Sequence, residues 1–70
     1  MSGPVNVYEA ILANRESIAQ VVAAKAAIER IGGHVKMDPP TARGMILVTL
    51  VLPEFYTPRD FLPGLPFYLT

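Results

Sequence analysis

The segment that most constrains the fold of this chain is an apolar stretch between two structure breakers. Gly44 precedes it, Pro53 follows it, and between them lies Met45-Ile-Leu-Val-Thr-Leu-Val-Leu52. A run of β-branched and leucine residues of this length predicts a β-strand. A strand with one face in water alternates apolar and polar residues, whereas this strand is apolar on both faces. Both of its faces therefore need to be covered.

A second, shorter strand is predicted just before the apolar one. The segment His34-Val-Lys-Met-Asp38 alternates in polarity, and the turn-forming stretch Pro39-Pro-Thr-Ala-Arg-Gly44 follows it. The two strands are predicted to form an antiparallel β-hairpin over residues 34–52. An isolated hairpin is marginal in water, and one helix can cover only one of its faces. The other face is expected to meet a second subunit, the C-terminal segment, or both.

The N-terminal part of the chain favours a helix. Residues 17–31 are rich in alanine and straight-chain side chains, which lose little conformational entropy in a helix. Gly32-Gly33 is a strong signal for the helix to stop. Two asparagines compete as the N-cap. If Asn14 is the cap, Pro4 to Tyr8 is free to form a short strand, but if Asn6 is the cap, one long helix over about residues 7–31 results. The longer helix is predicted, because Glu9 to Ala13 also favours helix.

The C-terminal segment, residues 53–70, is unusual in composition. It contains five of the six aromatic residues and four of the seven prolines, but only three charged residues. Disordered segments are poor in aromatic residues and rich in charge, and closely spaced prolines exclude a regular helix or a central strand. An extended arm is therefore predicted. It is expected to lie on the uncovered face of the hairpin, either in the same chain or across a dimer.

These elements predict a single small α+β domain over residues 1–70, with one long N-terminal helix, an antiparallel β-hairpin and an extended Pro/aromatic C-terminal arm. Hydrophobic residues make up 51% of the chain, charged residues only 17%, and the formal net charge is zero. Little charge repulsion therefore keeps two copies apart. Oligomerisation, as a homodimer or a larger assembly, is expected to complete the fold. The predicted interface residues are Leu47, Val51, Phe55, Tyr56, Phe61, Leu62, Leu65, Phe67 and Tyr68.

Composition also argues against several classes of function. The chain has no cysteine and one histidine, so disulfides and thiolate zinc sites are excluded and neither a metal nor a cofactor is expected. The balance of six basic and six acidic residues argues against nucleic acid as a partner. The longest apolar run is far shorter than the ~20 residues of a membrane-spanning helix, and the first residues do not resemble a secretory signal. A cytoplasmic location is expected.

Four polar residues could form a site. His34 could act as a general base, although a polar residue that opens a strand is the more usual role. Asp38 precedes two prolines, as a turn-forming residue does. Arg43 lies at a loop tip that could bind an anion, and Arg59 could fix the register of the arm. No catalytic residue is predicted, because no spacing among these four specifies a reaction.

Three functions fit these patterns. The preferred one is a small non-enzymatic protein-interaction module that self-associates through its hairpin and aromatic arm and binds another protein or a small apolar ligand. A second is a small oligomeric enzyme with its site at the subunit interface. The third rests on a resemblance over Ile18 to Leu52: a helix, Gly32-Gly33, two strands and an extended tail are similar to the middle of subtilisin-type propeptides. That resemblance implies an inhibitor or folding-chaperone segment whose tail occupies a protease cleft, although the first strand and second helix of such propeptides are missing from the predicted elements.

Overall fold

The computed structural model describes residues 3–70. Its elements follow one another as β1 (Val5–Leu12), α1 (Arg15–Arg30), β2 (His34–Met37), β3 (Ile46–Pro53), a 3-10 turn (Pro58–Asp60) and β4 (Tyr68–Leu69). The fold is α+β, as predicted, with one α-helix and a four-stranded antiparallel sheet. Within residues 3–70, no helix has the length and apolar character needed to cross a membrane.

The chain begins with a strand, so the predicted helix over residues 7–31 is wrong in its first part. Asn14 is the N-cap of α1, because its side-chain oxygen accepts hydrogen bonds from the backbone N–H groups of Glu16 at 2.7 Å and Ser17 at 3.2 Å. All eight residues of β1 pair with β3. Helix propensities differ by only tenths of a kcal/mol per residue, so the pairing and burial gained with β3 override the preference of residues 9–13.

The strand order in the sheet is β2-β3-β1-β4, and each pair of neighbours is antiparallel. β1 and β2 therefore run parallel, with β3 inserted between them and α1 as the crossover, which is the split β-α-β arrangement of ferredoxin-like folds. The predicted hairpin is present as β2 and β3, which pair from His34↔Val51 to Met37↔Val48. Between β3 and β4, one 3-10 turn stands where that arrangement has a second helix.

The core lies between one face of the sheet and one face of α1. Every second side chain along β3 is buried, and the β1 side chains directly across from them share that face. From α1, Val21 and Ile28 are fully buried. The complete buried core consists of Ala10, Leu12, Val21, Ile28, Val48, Leu50, Leu52 and Leu62.

Two glycines end α1, as the sequence predicts. The N–H of Gly33 donates to the carbonyl of Ile28 at 2.9 Å, and the N–H of Gly32 donates to the carbonyl of Glu29 at 3.1 Å. These two hydrogen bonds form a Schellman motif, in which the residue after the cap takes a left-handed conformation. Gly32 has that conformation, with φ of +90°.

The segment after β3 is more structured than the predicted extended arm. Thr57 and Asp60 form a capping box around the 3-10 turn, in which the Thr57 N–H donates to the Asp60 carboxylate at 2.8 Å. A second turn spans residues 62–65, where Pro63 precedes Gly64 at φ +85°, the arrangement of a type II turn. The prolines therefore fix a series of bends.

The arm packs on the same side of the sheet as α1, so its predicted position on the other face of the hairpin is wrong. Leu62 is buried in the core, and β4 pairs with Tyr8 and Glu9 of β1 in the same chain. The physical reason is that α1 is too narrow to cover a four-stranded sheet, which leaves the β1 side of that face for the arm. Four further arm residues pack against the core: Tyr56, Phe61, Leu65 and Phe67.

Candidate functional site

The side of the sheet opposite α1 carries an apolar surface, which we call the open face. Side chains alternate along a strand, so the positions between the buried ones point to this side. Ile11 is 57% exposed and Tyr68 is 52% exposed. No open-face residue belongs to the core or packs against it. The open face consists of Val5, Val7, Glu9, Ile11, His34, Lys36, Leu47, Thr49, Val51, Pro53 and Tyr68.

The strand register places two opposite charges symmetrically on the open face. Lys36 of β2 lies across from Thr49 of β3, and Glu9 of β1 lies across from Thr49 on the other side. The two charged residues are thus two strand spacings apart, about 10 Å. Along β3, Leu47 and Val51 stand on either side of this row. A polar row of Lys36, Thr49 and Glu9 therefore crosses the middle of the open face, with apolar side chains on either side of it.

The two edges of the sheet differ in how well they are protected. β2 has only four residues and carries a lysine, and Pro39-Pro40 follow it closely. Short strands, lysines and prolines all disfavour pairing with a strand of another chain. At the other edge, β4 has only two residues and pairs with the middle of β1, so the ends of β1 extend beyond it. The β2 edge therefore disfavours contact with another strand.

A cleft of about 570 Å³ opens on the helix side of the sheet, between β1 and the arm. Leu62, Leu65 and Phe67 supply apolar lining, and Tyr8 and Thr57 supply hydroxyl groups. Among the residues that the structure describes, Arg59 is the only charged one that lines the cleft.

The structure divides the predicted interface residues into two groups. Leu47, Val51 and Tyr68 lie on the open face, and Phe55 is 89% exposed in the turn after β3. The remaining residues face the core on the helix side, where the rings of Tyr56 and Phe61 have centroids 5.7 Å apart. This second group consists of Tyr56, Phe61, Leu62, Leu65 and Phe67.

The four candidate polar residues do not come together. His34 is the first residue of β2 and Asp38 directly follows its last residue, about 13 Å away along the chain, and the Asp38 carboxylate is 3.8 Å from Lys36 Nζ. Arg43 is exposed in the loop between β2 and β3, whereas Arg59 lines the cleft on the other side of the sheet. Across the described residues, no three His, Asp or Glu side chains are grouped so that they could hold a metal ion.

Sequence reasoning missed the β1 part of the open face and the hydroxyl groups of the cleft. Val5, Val7 and Ile11 occupy every second position on one side of β1, and such a period of two indicates a strand. The pattern can be recognised only if Asn14, and not Asn6, is taken as the helix N-cap. Tyr8 and Thr57 have no comparable signal, because they lie far apart in the chain and meet only through the docking of the arm on β1.

Comparison of the chain with protein-family models, with curated proteins and with solved structures finds no match.

Proposed function

We propose that this chain is a small, non-enzymatic interaction module that forms a homodimer by packing the open faces of two sheets against each other. The observation that carries the proposal is the open face, which is apolar along β1 and β3 except at Glu9 and Thr49 and is not part of the core. Single exposed apolar residues are ordinary on a soluble protein, whereas a contiguous apolar patch marks an interaction surface.

The size of the open face fits a weak dimer. β1 and β3 have eight residues each, β2 has four and β4 has two, and at about 3.4 Å per residue and about 4.8 Å per strand the face covers roughly 360 Å². Two copies would bury roughly 700 Å² in total, which is in the range of weak and transient contacts. We expect a dissociation constant in the micromolar range and a dimer that dissociates on dilution.

A second copy fits this face because its charge pattern is self-complementary. With a two-fold axis parallel to β3, Lys36 would lie over Glu9 of the partner subunit, and Glu9 would lie over the partner's Lys36. Thr49 would lie over the partner's Thr49. An axis across the strands would instead place Lys36 over the partner's Lys36. Stacked sheets align within about 30°, an angle that lysine and glutamate side chains can span. The axis along β3 is therefore the expected one, and a formal net charge of zero adds no long-range repulsion.

The arm supports face-to-face packing rather than an exchange of arms between copies. Most of its large side chains already cover the core of their own chain. The inhibitor interpretation requires a tail that is free to enter a protease cleft. Here Tyr68 and Leu69 pair with β1, and the Thr70 N–H donates to the carbonyl of Val7 at 3.0 Å, so that interpretation has less support.

The first experiment places a charge at the centre of the proposed interface. In the Val51→Lys variant, two lysines would face each other close to the two-fold axis. Val22→Lys is the matched control, because Val22 is 55% exposed on α1 and lies away from the sheet. Sedimentation velocity over a range of concentrations should show a dimer for the unchanged chain and for Val22→Lys, and a monomer for Val51→Lys.

Circular dichroism establishes that each variant is folded before its sedimentation is compared. The proposal is wrong if the unchanged chain stays monomeric at several hundred micromolar, well above the dissociation constant expected here. Equal dissociation of the two lysine variants would also contradict it, because the effect would then not depend on the open face.

A charge exchange tests the orientation of the two copies. Glu9→Lys and Lys36→Glu should each weaken the dimer by about tenfold, since each turns two attractive contacts into repulsive ones of about 1 kcal/mol or less. The double variant should recover part of the affinity, because each new charge again faces its opposite, while the glutamate at position 36 loses the ion pair that Lys36 makes with Asp38. If the double variant dimerises no better than the single variants, the axis does not lie along β3.

A further inference from the structure

The cleft between β1 and the arm combines an apolar wall with one unpaired cation. Leu62, Leu65 and Phe67 line its apolar part, and within the described part of the chain Arg59 is the only charged residue that lines it. Among residues 3–70, Arg59 forms no ion pair. Its acidic neighbour Asp60 does not line the cleft, and the Asp60 carboxylate already accepts hydrogen bonds from the N–H and the hydroxyl of Thr57.

We propose that this cleft binds a small amphipathic carboxylate, with its apolar body against Leu65 and Phe67 and its carboxylate on Arg59. Small-molecule sites are concave and carry a few polar groups that orient the ligand, and polar and apolar atoms line this cleft in nearly equal measure. The guanidinium group of arginine can hold a carboxylate through two parallel hydrogen bonds. The hydroxyl groups of Tyr8 and Thr57 line the same cleft and can donate to the same carboxylate.

The size and charge of the cleft define the ligand class. A volume of about 570 Å³ lies within the 300–1,000 Å³ range of ligand pockets. Because Leu62, Leu65 and Phe67 supply most of its apolar wall, the apolar body is expected to be a single ring or a short chain. A single guanidinium group balances one negative charge, which favours a monoanion over a phosphate monoester.

This site is independent of the proposed dimer. Tyr8 lies across from the buried Leu50 and so belongs to the helix side of the sheet, whereas the dimer is proposed on the open face. Failure of one proposal therefore leaves the other in place.

The experiment compares two probes that differ mainly in charge, 3-phenylpropanoate and 3-phenylpropan-1-ol. Backbone amide shifts of the full chain are followed by NMR while each probe is added. The carboxylate should give saturable shifts confined to β1 and residues 57–67, with a dissociation constant of about 1 mM for a ligand of this size. The alcohol should bind at least about fivefold more weakly, because it cannot form the charged contact.

Arg59→Gln should abolish the preference for the carboxylate, so that both probes bind with similar weak affinity. Arg43→Gln is the matched control, because Arg43 is an exposed arginine outside the cleft, and it should leave the preference unchanged. Arg59→Lys keeps the charge but not the two-pronged geometry and should retain only part of the preference. Arg59 is exposed, so these variants are expected to fold.

Three outcomes would overturn the proposal. Shifts that do not saturate would show that the cleft is not a site. Equal affinity for the two probes in the unchanged chain would show that the charge of Arg59 does not select the ligand. The same loss of preference in Arg43→Gln would assign the effect to general charge attraction rather than to the cleft.

Discussion

Replacing Gly33 should destabilise the fold for a steric reason, whereas replacing the adjacent Gly32 should do so for a conformational one. A Cβ atom at Gly33 would lie 2.7 Å from the carbonyl oxygen of Val51 and 2.8 Å from Cγ2 of Ile28. A Cβ atom at Gly32 would meet nothing within 4 Å, but the φ of +90° there is strained for other residues. Glycine is therefore required for different reasons at the two positions: for lack of space at Gly33 and for its positive φ at Gly32.

The contact at Gly33 is difficult to relieve. Val51 belongs to β3, and Gly33 directly precedes β2, which pairs with β3 from His34↔Val51 onward. Moving the new methyl group away from the Val51 oxygen requires β2 and β3 to separate locally. Overpacking costs about 1–3 kcal/mol, and we expect about 3 kcal/mol for Gly33→Ala because a backbone oxygen cannot rotate aside. For Gly32→Ala we expect about 1 kcal/mol, the cost of a left-handed alanine.

Asparagine substitutions at the same two positions distinguish the two causes by the order of the free energies of unfolding, so that their absolute values are not needed. Asparagine tolerates the left-handed region better than alanine does, but it is larger. At Gly32, asparagine should therefore cost less than alanine, and at Gly33 it should cost more. Urea unfolding followed by circular dichroism gives the four free energies by linear extrapolation. A stabilising osmolyte in all samples keeps the weakest variant folded, since a chain of this size has only about 3–5 kcal/mol to lose.

The reasoning is refuted if asparagine is milder than alanine at both positions, because the cost at Gly33 would then be conformational. It is also refuted if Gly33→Ala costs no more than Gly32→Ala. Either result would mean that β2 and β3 adapt to the added methyl group.

Two further pairs of substitutions test the start of α1 and the role of the arm, both by urea unfolding. Asn14→Ala should cost about 1 kcal/mol because the helix loses its cap, whereas Asn6→Ala, within β1, should change stability by less than about 0.5 kcal/mol; equal losses would contradict the helix start. Leu62→Ala should cost about 2–5 kcal/mol because the side chain is buried, whereas Phe55→Ala should cost less than about 0.5 kcal/mol. A larger loss at Phe55 would mean that the arm is held differently.

The hairpin could be predicted from the sequence because its signals are local. Residues 45–52 are apolar except for Thr49, and Gly44 and Pro53 mark their limits. The stop of α1 is equally local, since a Schellman motif needs only two residues after the helix. In both cases the local conformational preference of the segment agrees with the conformation that it adopts in the fold.

The start of α1 could not be decided in the same way. Residues 9–13 favour helix when considered alone, and only their pairing with β3, more than 30 residues later in the chain, makes them a strand. The cleft was also beyond sequence reasoning, because Tyr8 and Arg59 are brought together by the bends at the prolines and by the two-residue strand β4. Such contacts depend on tertiary structure and leave no periodic pattern.

The width of the sheet explains why its open face remains uncovered. Four strands at about 4.8 Å span about 19 Å, whereas a helix with its side chains is about 10 Å wide. α1 alone can cover about half of one face, and the arm residues Leu62, Leu65 and Phe67 complete the cover of that same face. The sequence suggests that the helix covers one face of the sheet and the arm covers the other. In the structure, the helix and the arm cover the same face. Among the described residues, no segment therefore remains that could cover the apolar side chains of the open face. We expect a second chain to cover them.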